Sequence, residues 1–353
     1  MTVPLLRDAA SMLGKAGGDA PATSNIGYSL GAPVLTGRVN VYLIYYGQWT
    51  AAQRSVVEDF VSGVGGSAWW GIARQYFFQQ FESSPRESVS DDVQLAGVAL
   101  DGGSHGTALS GTALPEIIAA QIASGRLPED AGGVYLVLTG AGVAETARAD
   151  LGAGAFCRDH CGYHASWVLA SGVRIAYGHA GHAGACLAQC APAANQRVSP
   201  NGDVAADALV NALAHVLAEA VTDPQPDGAR AWQDADGSEA ADKCAFRFGA
   251  TRVDARGAAF NVRWRGRNFL VQQNWDPARA ACALAAFPAT PLLPSPPPPS
   301  QPPERPTARP TISPRPTRSA TVRRPTAATA ATATATPTCS ADNPCCRWFH
   351  FDC

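Results

Sequence analysis

Two pairs of closely spaced cysteines constrain this chain more than any other feature of its sequence. One C-x3-C step lies at 157–161 and a second at 186–190. Four histidines share the stretch, so four thiols and four imidazoles fall within about 35 residues, a density that packing alone does not produce. The cluster predicts disulfide bonds, a metal ion or both, and the choice decides the compartment of the protein. The histidines are His160, His164, His179 and His182.

The cysteine count favours disulfide bonds. Even numbers of cysteines in the body of the chain and at its C-terminal end suit complete pairing, although the sequence leaves the connectivity open. The alternative is a zinc ion held by four thiolates, for which C-x2-C is the usual step. The body cysteines are Cys157, Cys161, Cys186, Cys190, Cys244 and Cys282, and the terminal ones are Cys339, Cys345, Cys346 and Cys353.

The charge of the chain excludes one class of function. The formal net charge is -2, so no broad basic field is present to attract a nucleic acid. No run approaches the apolar length of a membrane-spanning helix, and we predict no transmembrane segment. The N-terminus shows no signal peptide, which conflicts with a disulfide-stapled secreted protein. We therefore expect the true start of the protein to lie upstream.

Composition divides the chain into four parts. Residues 1–30 are small and polar and predict a flexible lead-in, whereas 31–288 have the composition of one folded domain. Proline, threonine, alanine and arginine dominate 289–338, which predicts a disordered, glycosylatable stalk because there is little apolar surface to bury. A cysteine-rich patch follows at 339–353. A stalk of this type favours an extracellular setting, and therefore disulfides.

Strand and helix patterns within 31–288 predict a single α/β domain with helices packed on a mixed sheet, stapled by disulfides. Residues 39–46 are β-branched and aromatic, and 134–139 are wholly apolar, as in a central strand. Thr50 and Gln53 form a capping box that begins a helix. The strongest helix is 203–221, which has a leucine and valine stripe. Further predicted elements are strands at 93–100 and 165–169, a helix at 113–124, and a hairpin of 258–264 with 268–273.

The helix at 203–221 also carries a polar side chain at every fourth position. One interpretation is a solvated face opposite the apolar stripe. The other is a metal site, in which His215 and Glu219 grip one ion, Zn²⁺ or Ca²⁺, and Asp223 is a third ligand. Val216 occupies the position of the general base in an H-E-x-x-H helix, so we expect no hydrolysis by the usual route. The polar positions are Asp203, Asp207, Asn211, His215 and Glu219, and the acidic residues Asp234, Asp236, Glu239 and Asp242 follow.

Two other groups are candidates for binding. His164 lies beside Cys161, where a buried, hydrogen-bonded structural role is favoured over a ligand role. Trp69 and Trp70 adjoin three further aromatic residues, for which core packing is the main interpretation and stacking on sugar rings the alternative. The same alternative applies to the aromatic residues of the terminal patch. The residues concerned are Tyr76, Phe77 and Phe78 in the body, and Trp348 and Phe349 in the patch.

Four sequence blocks resemble the EXORDIUM-like or phosphate-induced protein 1 family. The resemblance implies secretion to the cell wall or apoplast, a role in growth or cell expansion, and no settled chemistry. It suggests cell-wall polysaccharides or wall glycoproteins as partners. Relatives with a fuller H-E-x-x-E helix resemble metallopeptidases, so an inactive, metal-binding hydrolase descendant is the alternative. The blocks are 31–37 with 39–49, 156–166, 186–204, and 274–277 ahead of Cys282, whereas the stalk and the patch depart from the family.

Overall fold

The computed structural model describes residues 25–286. The predicted stalk, the terminal patch with Cys339, Cys345, Cys346 and Cys353, and most of the predicted lead-in lie outside the described residues. The fold begins earlier than the sequence predicted, because a strand at Gly27–Tyr28 pairs with Trp232–Gln233.

The body of the chain alternates strands and helices, as the sequence predicted. The α-helices are α1 Ala51–Val64, α2 Ala113–Ala123, α3 Leu187–Cys190 and α4 Val204–Thr222, with 3-10 turns at Trp70–Gln75, Ala149–Leu151, Ala183–Ala185, Ala193–Asn195 and Asp242–Cys244. The strands are β1 Gly27–Tyr28, β2 Val39–Tyr46, β3 Phe77–Phe78, β4 Glu87–Ser88, β5 Val93–Asp101, β6 Ala108–Ser110, β7 Gly133–Thr139, β8 Ala144–Thr146, β9 Gly162–Val168, β10 Arg174–Gly181, β11 Trp232–Gln233, β12 Arg252–Val253, β13 Ala259–Phe260, β14 Val262–Trp264, β15 Arg267–Phe269, β16 Asn274–Asp276 and β17 Ala281–Ala283.

A five-stranded mixed sheet forms the centre of the domain, in the order β5-β2-β7-β10-β9. The first four strands run parallel, and β9 pairs antiparallel with β10. Every residue of β7 is buried, which agrees with its apolar sequence. The predicted mixed-sheet α/β fold is therefore confirmed.

The sheet separates two apolar layers. Side chains of a strand alternate between its faces, so Val41 and Leu43 of β2 join the core under α1 and α4. Tyr42 and Ile44 of the same strand join a second core under α2. The sites described below lie where these layers meet β9 and β10.

Helix α4 is the core helix of the domain. It is long and apolar enough to cross a membrane by length and composition, contrary to our expectation for this chain, but 89% of it is buried inside the domain. Val216 packs against β10 so closely that a Cβ at Gly178 would collide with it, and a Cβ at Gly162 would lie 3.1 Å from it. These two glycines therefore let the helix approach the sheet.

Both long helices of this layer begin with side-chain caps. The predicted capping box of α1 is confirmed. The backbone N–H of Gln53 donates to Thr50 Oγ1 at 3.2 Å, and the backbone N–H of Thr50 donates to the side-chain Oε1 of Gln53 at 3.0 Å. Asp203 caps α4 by accepting from the N–H groups of Ala205 and Ala206 at 3.1 and 3.0 Å. The candidate residue Asp203 thus has a structural role.

Three disulfide bonds staple the domain, and they use all six body cysteines. Cys157–Cys186 and Cys161–Cys190 tie the segment before β9 to the short helix α3, and Cys244–Cys282 ties a 3-10 turn to β17. Because each thiol is in a disulfide, the alternative of a four-thiolate zinc centre is wrong. Complete pairing of the body cysteines is confirmed.

Candidate functional site

The polar stripe of α4 faces the interior of the domain. The exposed fractions of Asp207, Asn211 and Glu219 are only 8%, 3% and 3%, so the prediction of a solvated face is wrong. The reason lies in the chain after α4, which covers the stripe with short strands and turns. Those irregular segments carry backbone groups that need hydrogen-bond partners, and the stripe supplies them.

The first half of the stripe binds neighbouring backbone. Asn211 Oδ1 accepts from the Gln272 N–H at 2.8 Å. Asp207 accepts from the N–H and the side-chain amide of Asn201 at 2.9 and 2.6 Å. Burial raises the pKa of Asp207 above its usual value. Asp207 is therefore a structural residue that holds the loop before α4.

The second half of the stripe belongs to a cluster that we call the α4 network. His215 Nε2 lies 3.0 Å from Glu219 Oε2 and 3.4 Å from Asp242 Oδ1. His164 Nε2, which comes from β9, lies 3.0 Å from Glu239 Oε2 and 3.7 Å from Glu219 Oε2. Glu219 Oε2 thus lies between two imidazoles, while its Oε1 accepts from the N–H groups of Ala241 and Asp242 at 3.1 and 2.9 Å. The members of the α4 network are His164, His215, Glu219, Glu239 and Asp242.

Charges within the α4 network compensate one another. Burial alone would lower the pKa of His164, but Glu239 and Glu219 outweigh it and raise the pKa to about 9. Burial likewise opposes a charge on His215, yet Glu219 and Asp242 raise its pKa well above the usual value. Burial would raise the pKa of Glu219, but His215 and His164 outweigh it and lower that pKa. For Glu239 burial prevails and raises the pKa well above its usual range. The two imidazolium groups therefore balance the charge of Glu219, whose pKa is lowered despite its burial.

Asp223 does not join His215 and Glu219 in the way that the sequence suggested. Its carboxylate accepts from the Ala231 N–H and the Gln233 side-chain amide, both at 3.0 Å, so it closes the loop after α4. Its charge still helps to raise the pKa of His164. The donor atoms that lie close enough to share an ion are those of His215, Glu219 and Asp242, and those of His164, Glu219 and Glu239. Asp242 and Glu239 come from the acidic stretch after the helix, and the sequence pattern predicted no specific role for them.

The α4 network can hold protons or a cation, but its helix has no carboxylate at the general-base position of an H-E-x-x-H helix. Val216, at the general-base position, faces Gly162 and Gly178 of the sheet. The carboxylates are already engaged by histidines and backbone N–H groups. This geometry stabilises the junction of α4, β9 and the 3-10 turn at Asp242–Cys244.

A second cluster lies on the opposite face of β9 and β10. His164 is paired with Gly178, and the next pair in the ladder is Tyr163 with His179, so the side chains of the two pairs point to opposite faces. His179 lies beside His160 and Glu145, and the side chains of all three are 0–1% exposed. Burial lowers the pKa of His179 to about 4. We call Glu145, His160 and His179 the Glu145 cluster. The dense histidines marked this stretch in the sequence, but nothing there marked Glu145.

The aromatic residues for which stacking on sugar rings was the alternative interpretation are not at the surface. Trp69, Trp70 and Tyr76 are at most 1% exposed, and the two indole N–H groups donate to the backbone carbonyls of Gln272 and Ser90. Core packing is therefore the correct interpretation of these residues. Within residues 25–286, the large aromatic side chain that is exposed is Phe81, at 64%.

Comparisons with known proteins agree with the sequence blocks. The EXORDIUM-like 5 protein of Arabidopsis thaliana is 30% identical over 299 residues, covering 72% of this chain and 76% of the relative. The EXORDIUM-like 1 protein of the same plant is 29% identical, covering 72% and 88%. The PHOSPHATE-INDUCED 1 protein of Nicotiana tabacum is 26% identical, covering 74% and 89%. No solved structure gives a significant match.

The conserved region of phosphate-induced protein 1 matches residues 27–285, which is nearly the whole of the described domain. The disulfide-stapled segments, β2 and the α4 network all fall within that match. This chain therefore belongs to the phosphate-induced protein 1 family, together with the EXORDIUM-like proteins.

Proposed function

We propose that this protein is a secreted cell-wall or matrix protein with a role in growth or cell expansion, and that it acts by binding. The observation that carries the proposal is the set of three disulfides that close the domain. Such bonds persist in oxidising compartments and are rare in the cytosol. Membership of the phosphate-induced protein 1 family supports the same setting.

The α4 network supports binding over catalysis as the role of the domain. Its ionisable groups compensate one another inside the core, as their mutual distances of 3.0–3.7 Å indicate. A catalytic acid or base must reach a substrate proton, whereas Glu219 uses both carboxylate oxygens on protein groups. The network therefore acts as a support for the fold.

Cell fractionation tests the proposed location. In cells that make the protein natively, we expect it in the medium or the wall extract, with the Cys157–Cys186, Cys161–Cys190 and Cys244–Cys282 bonds found by non-reducing peptide mapping. Recovery inside the cell with six free body thiols would overturn the location. Cells that lack the protein should expand less, and unchanged expansion would overturn the role in growth.

The partner that we propose is a cell-wall polysaccharide, with Phe81 as the contact residue. Its exposed ring lies beside Leu30 at a surface depression of about 640 Å³ that Gln80 and Glu82 also line. A ring of this kind can stack on a sugar face while polar neighbours bind hydroxyl groups. Phe81→Ala should abolish co-sedimentation with insoluble wall polysaccharide, and Val253→Ala, at another exposed apolar residue, should not. Equal retention of both variants would contradict this contact.

A metal-dependent hydrolase is the second candidate function, and the convergence of two histidines and three carboxylates favours it. The ligand atoms of His215, Glu219 and Asp242 lie within 4.8 Å of one another, as do those of His164, Glu219 and Glu239. In that case the purified protein should hold zinc or calcium that His215→Ala removes, and it should cleave peptides only when loaded. A protein whose metal content is unchanged by His215→Ala would end this candidate.

A further inference from the structure

The Glu145 cluster brings three potential ligands together from separate parts of the chain. Glu145 lies on β8, His160 lies between the two cysteines of the first C-x3-C step, and His179 lies on β10. All of their facing atoms lie within 4.8 Å of one another. Burying an ionisable group is costly unless it is paired, hydrogen-bonded or bound to a metal, so this arrangement needs a physical reason.

The atoms that face one another have no hydrogen-bond partner. Glu145 Oε2 is 3.1 Å from His160 Nε2 and 3.7 Å from His179 Nδ1, within ion-pair distance of both, but these three buried atoms make no hydrogen bond with good geometry. At 3.1 Å the first pair is close enough to form an ion pair, which requires a proton on His160. Three potential ligand atoms this close together also have the spacing of ligands around one ion.

The separations fit a small tetrahedral ion. Zinc bonds to histidine nitrogen and carboxylate oxygen of about 2.0–2.1 Å place neighbouring ligand atoms about 3.3–3.4 Å apart. The observed 3.1 and 3.7 Å fall on either side of that value. Two imidazoles and one carboxylate are a donor set that suits zinc and related divalent transition metals.

Second contacts hold two of the ligands in the required orientation. His179 Nε2 lies 3.0 Å from Thr139 Oγ1, which leaves Nδ1 to face the centre. The Tyr163 hydroxyl donates to Glu145 Oε1 at 3.0 Å, which leaves Oε2 free. Metal-binding histidines and carboxylates are normally supported in this way. His160 Nδ1 is the unpartnered atom of the cluster that a central ion would not satisfy.

We propose that Glu145, His160 and His179 form a buried binding site for one zinc-class divalent metal ion, distinct from the α4 network. The site is closed to solvent, with ligand side chains 0–1% exposed, and it supplies three of the four ligands that tetrahedral zinc takes. It joins β8 and β10 to the loop that Cys157 and Cys161 anchor. The disulfides fix the position of His160, and the ion would tie that loop to the sheet.

Zinc binding to the unmutated full chain tests the site directly. After equilibration with Zn²⁺ and removal of the excess, we expect about one zinc per chain, as for a site with three protein ligands. Anomalous diffraction at the zinc edge should place the ion between Glu145 Oε2, His160 Nε2 and His179 Nδ1. A chain that binds no zinc, or a peak located in the α4 network, would overturn the proposal.

Variants separate the two clusters in solution. Glu145→Gln keeps the shape of the side chain and the contact with Tyr163. Both Glu145→Gln and His160→Gln should lower zinc affinity at least about tenfold. The matched control is His215→Gln, which removes a histidine from the α4 network and should leave zinc affinity unchanged. Equal loss in all three variants would refute a distinct site. Should a variant fail to fold, the diffraction experiment on the unmutated chain still decides.

Discussion

The α4 network and the Glu145 cluster are made of the same kinds of side chain on opposite faces of β9 and β10, but they differ in how their buried atoms are satisfied. Among the described residues of the network, the one buried side-chain atom without a partner is His164 Nδ1. In the Glu145 cluster all three facing atoms, and His160 Nδ1, lack a hydrogen bond, although Glu145 Oε2 lies within ion-pair distance of both histidines.

The difference follows from the surrounding backbone. Irregular segments after α4 offer N–H groups, and Glu219 and Asp242 accept hydrogen bonds from them. The Glu145 cluster is enclosed by regular strands and the rings of Phe156 and Tyr163, whose backbone groups are used elsewhere. Backbone hydrogen bonds thus complete the pairing in one cluster, whereas in the other the proposed ion would satisfy atoms that make none.

The largest expected effect is the removal of Glu219. Glu219→Ala leaves His164 and His215 without their shared carboxylate and two backbone N–H groups without an acceptor, so we expect a loss of about 3–5 kcal/mol in the free energy of unfolding. Urea denaturation measures it. Glu116→Ala is the control, because it removes a partly exposed ion pair with His105 and should cost less than about 1 kcal/mol. A loss that vanished with chelator present would show that the α4 network also holds an ion.

Removal of zinc should come next in size, and it should act on the other cluster. When the concentration of free zinc is about a hundredfold above the dissociation constant, bound zinc stabilises the folded state by about 3 kcal/mol. Chelation should therefore lower the free energy of unfolding of the unmutated protein by that amount. Glu145→Gln should no longer respond, whereas His215→Gln should respond fully. If the effect of the chelator were lost in His215→Gln and kept in Glu145→Gln, the zinc site would lie in the α4 network and not in the Glu145 cluster.

The pH dependence of stability should belong to the α4 network. The pKa of His164 is raised to about 9 by Glu239, Glu219 and Asp223, above about 6.5 in the unfolded chain, so its contribution is complete below pH 6.5 and is lost as the pH rises through 9. Between pH 7 and 9.5 this amounts to about 2 kcal/mol. His164→Gln should reduce the dependence of the free energy of unfolding on pH in this range, measured by urea denaturation. His215, whose pKa is also raised, should supply what dependence remains. Glu145→Gln should keep the slope, and an unchanged slope in His164→Gln would contradict the charged pairing.

Local signals predicted much of the fold. The capping box of Thr50 and Gln53, the apolar run of β7 and the stripe of α4 depend on residues close in sequence, and the structure confirms each. Strand β10 was missed, since its alanines and glycines have weak strand propensity. Gly178 is needed there to admit Val216, a contact between distant parts of the chain.

The sites were harder to predict for the same reason. His215 and Glu219 lie one turn apart on a helix, so their spacing revealed their proximity. The helix pattern could not show that later segments would cover the polar stripe, nor that Asp242 would replace Asp223 beside His215. Glu145 meets His160 and His179 only through strand pairing and the stapled loop, for which the sequence carries no local signal.

The smallest expected effect concerns the orientation of one ligand. Thr139→Val removes the hydroxyl that holds His179 Nε2 and should weaken zinc binding about tenfold, or about 1.4 kcal/mol, because the imidazole loses its fixed orientation. Isothermal titration with Zn²⁺ measures the change. The control is Thr222→Val, which removes a buried hydroxyl that bonds only to the backbone of α4, and it should leave zinc affinity unchanged. Equal affinities in the two variants would mean that Thr139 does not orient a metal ligand.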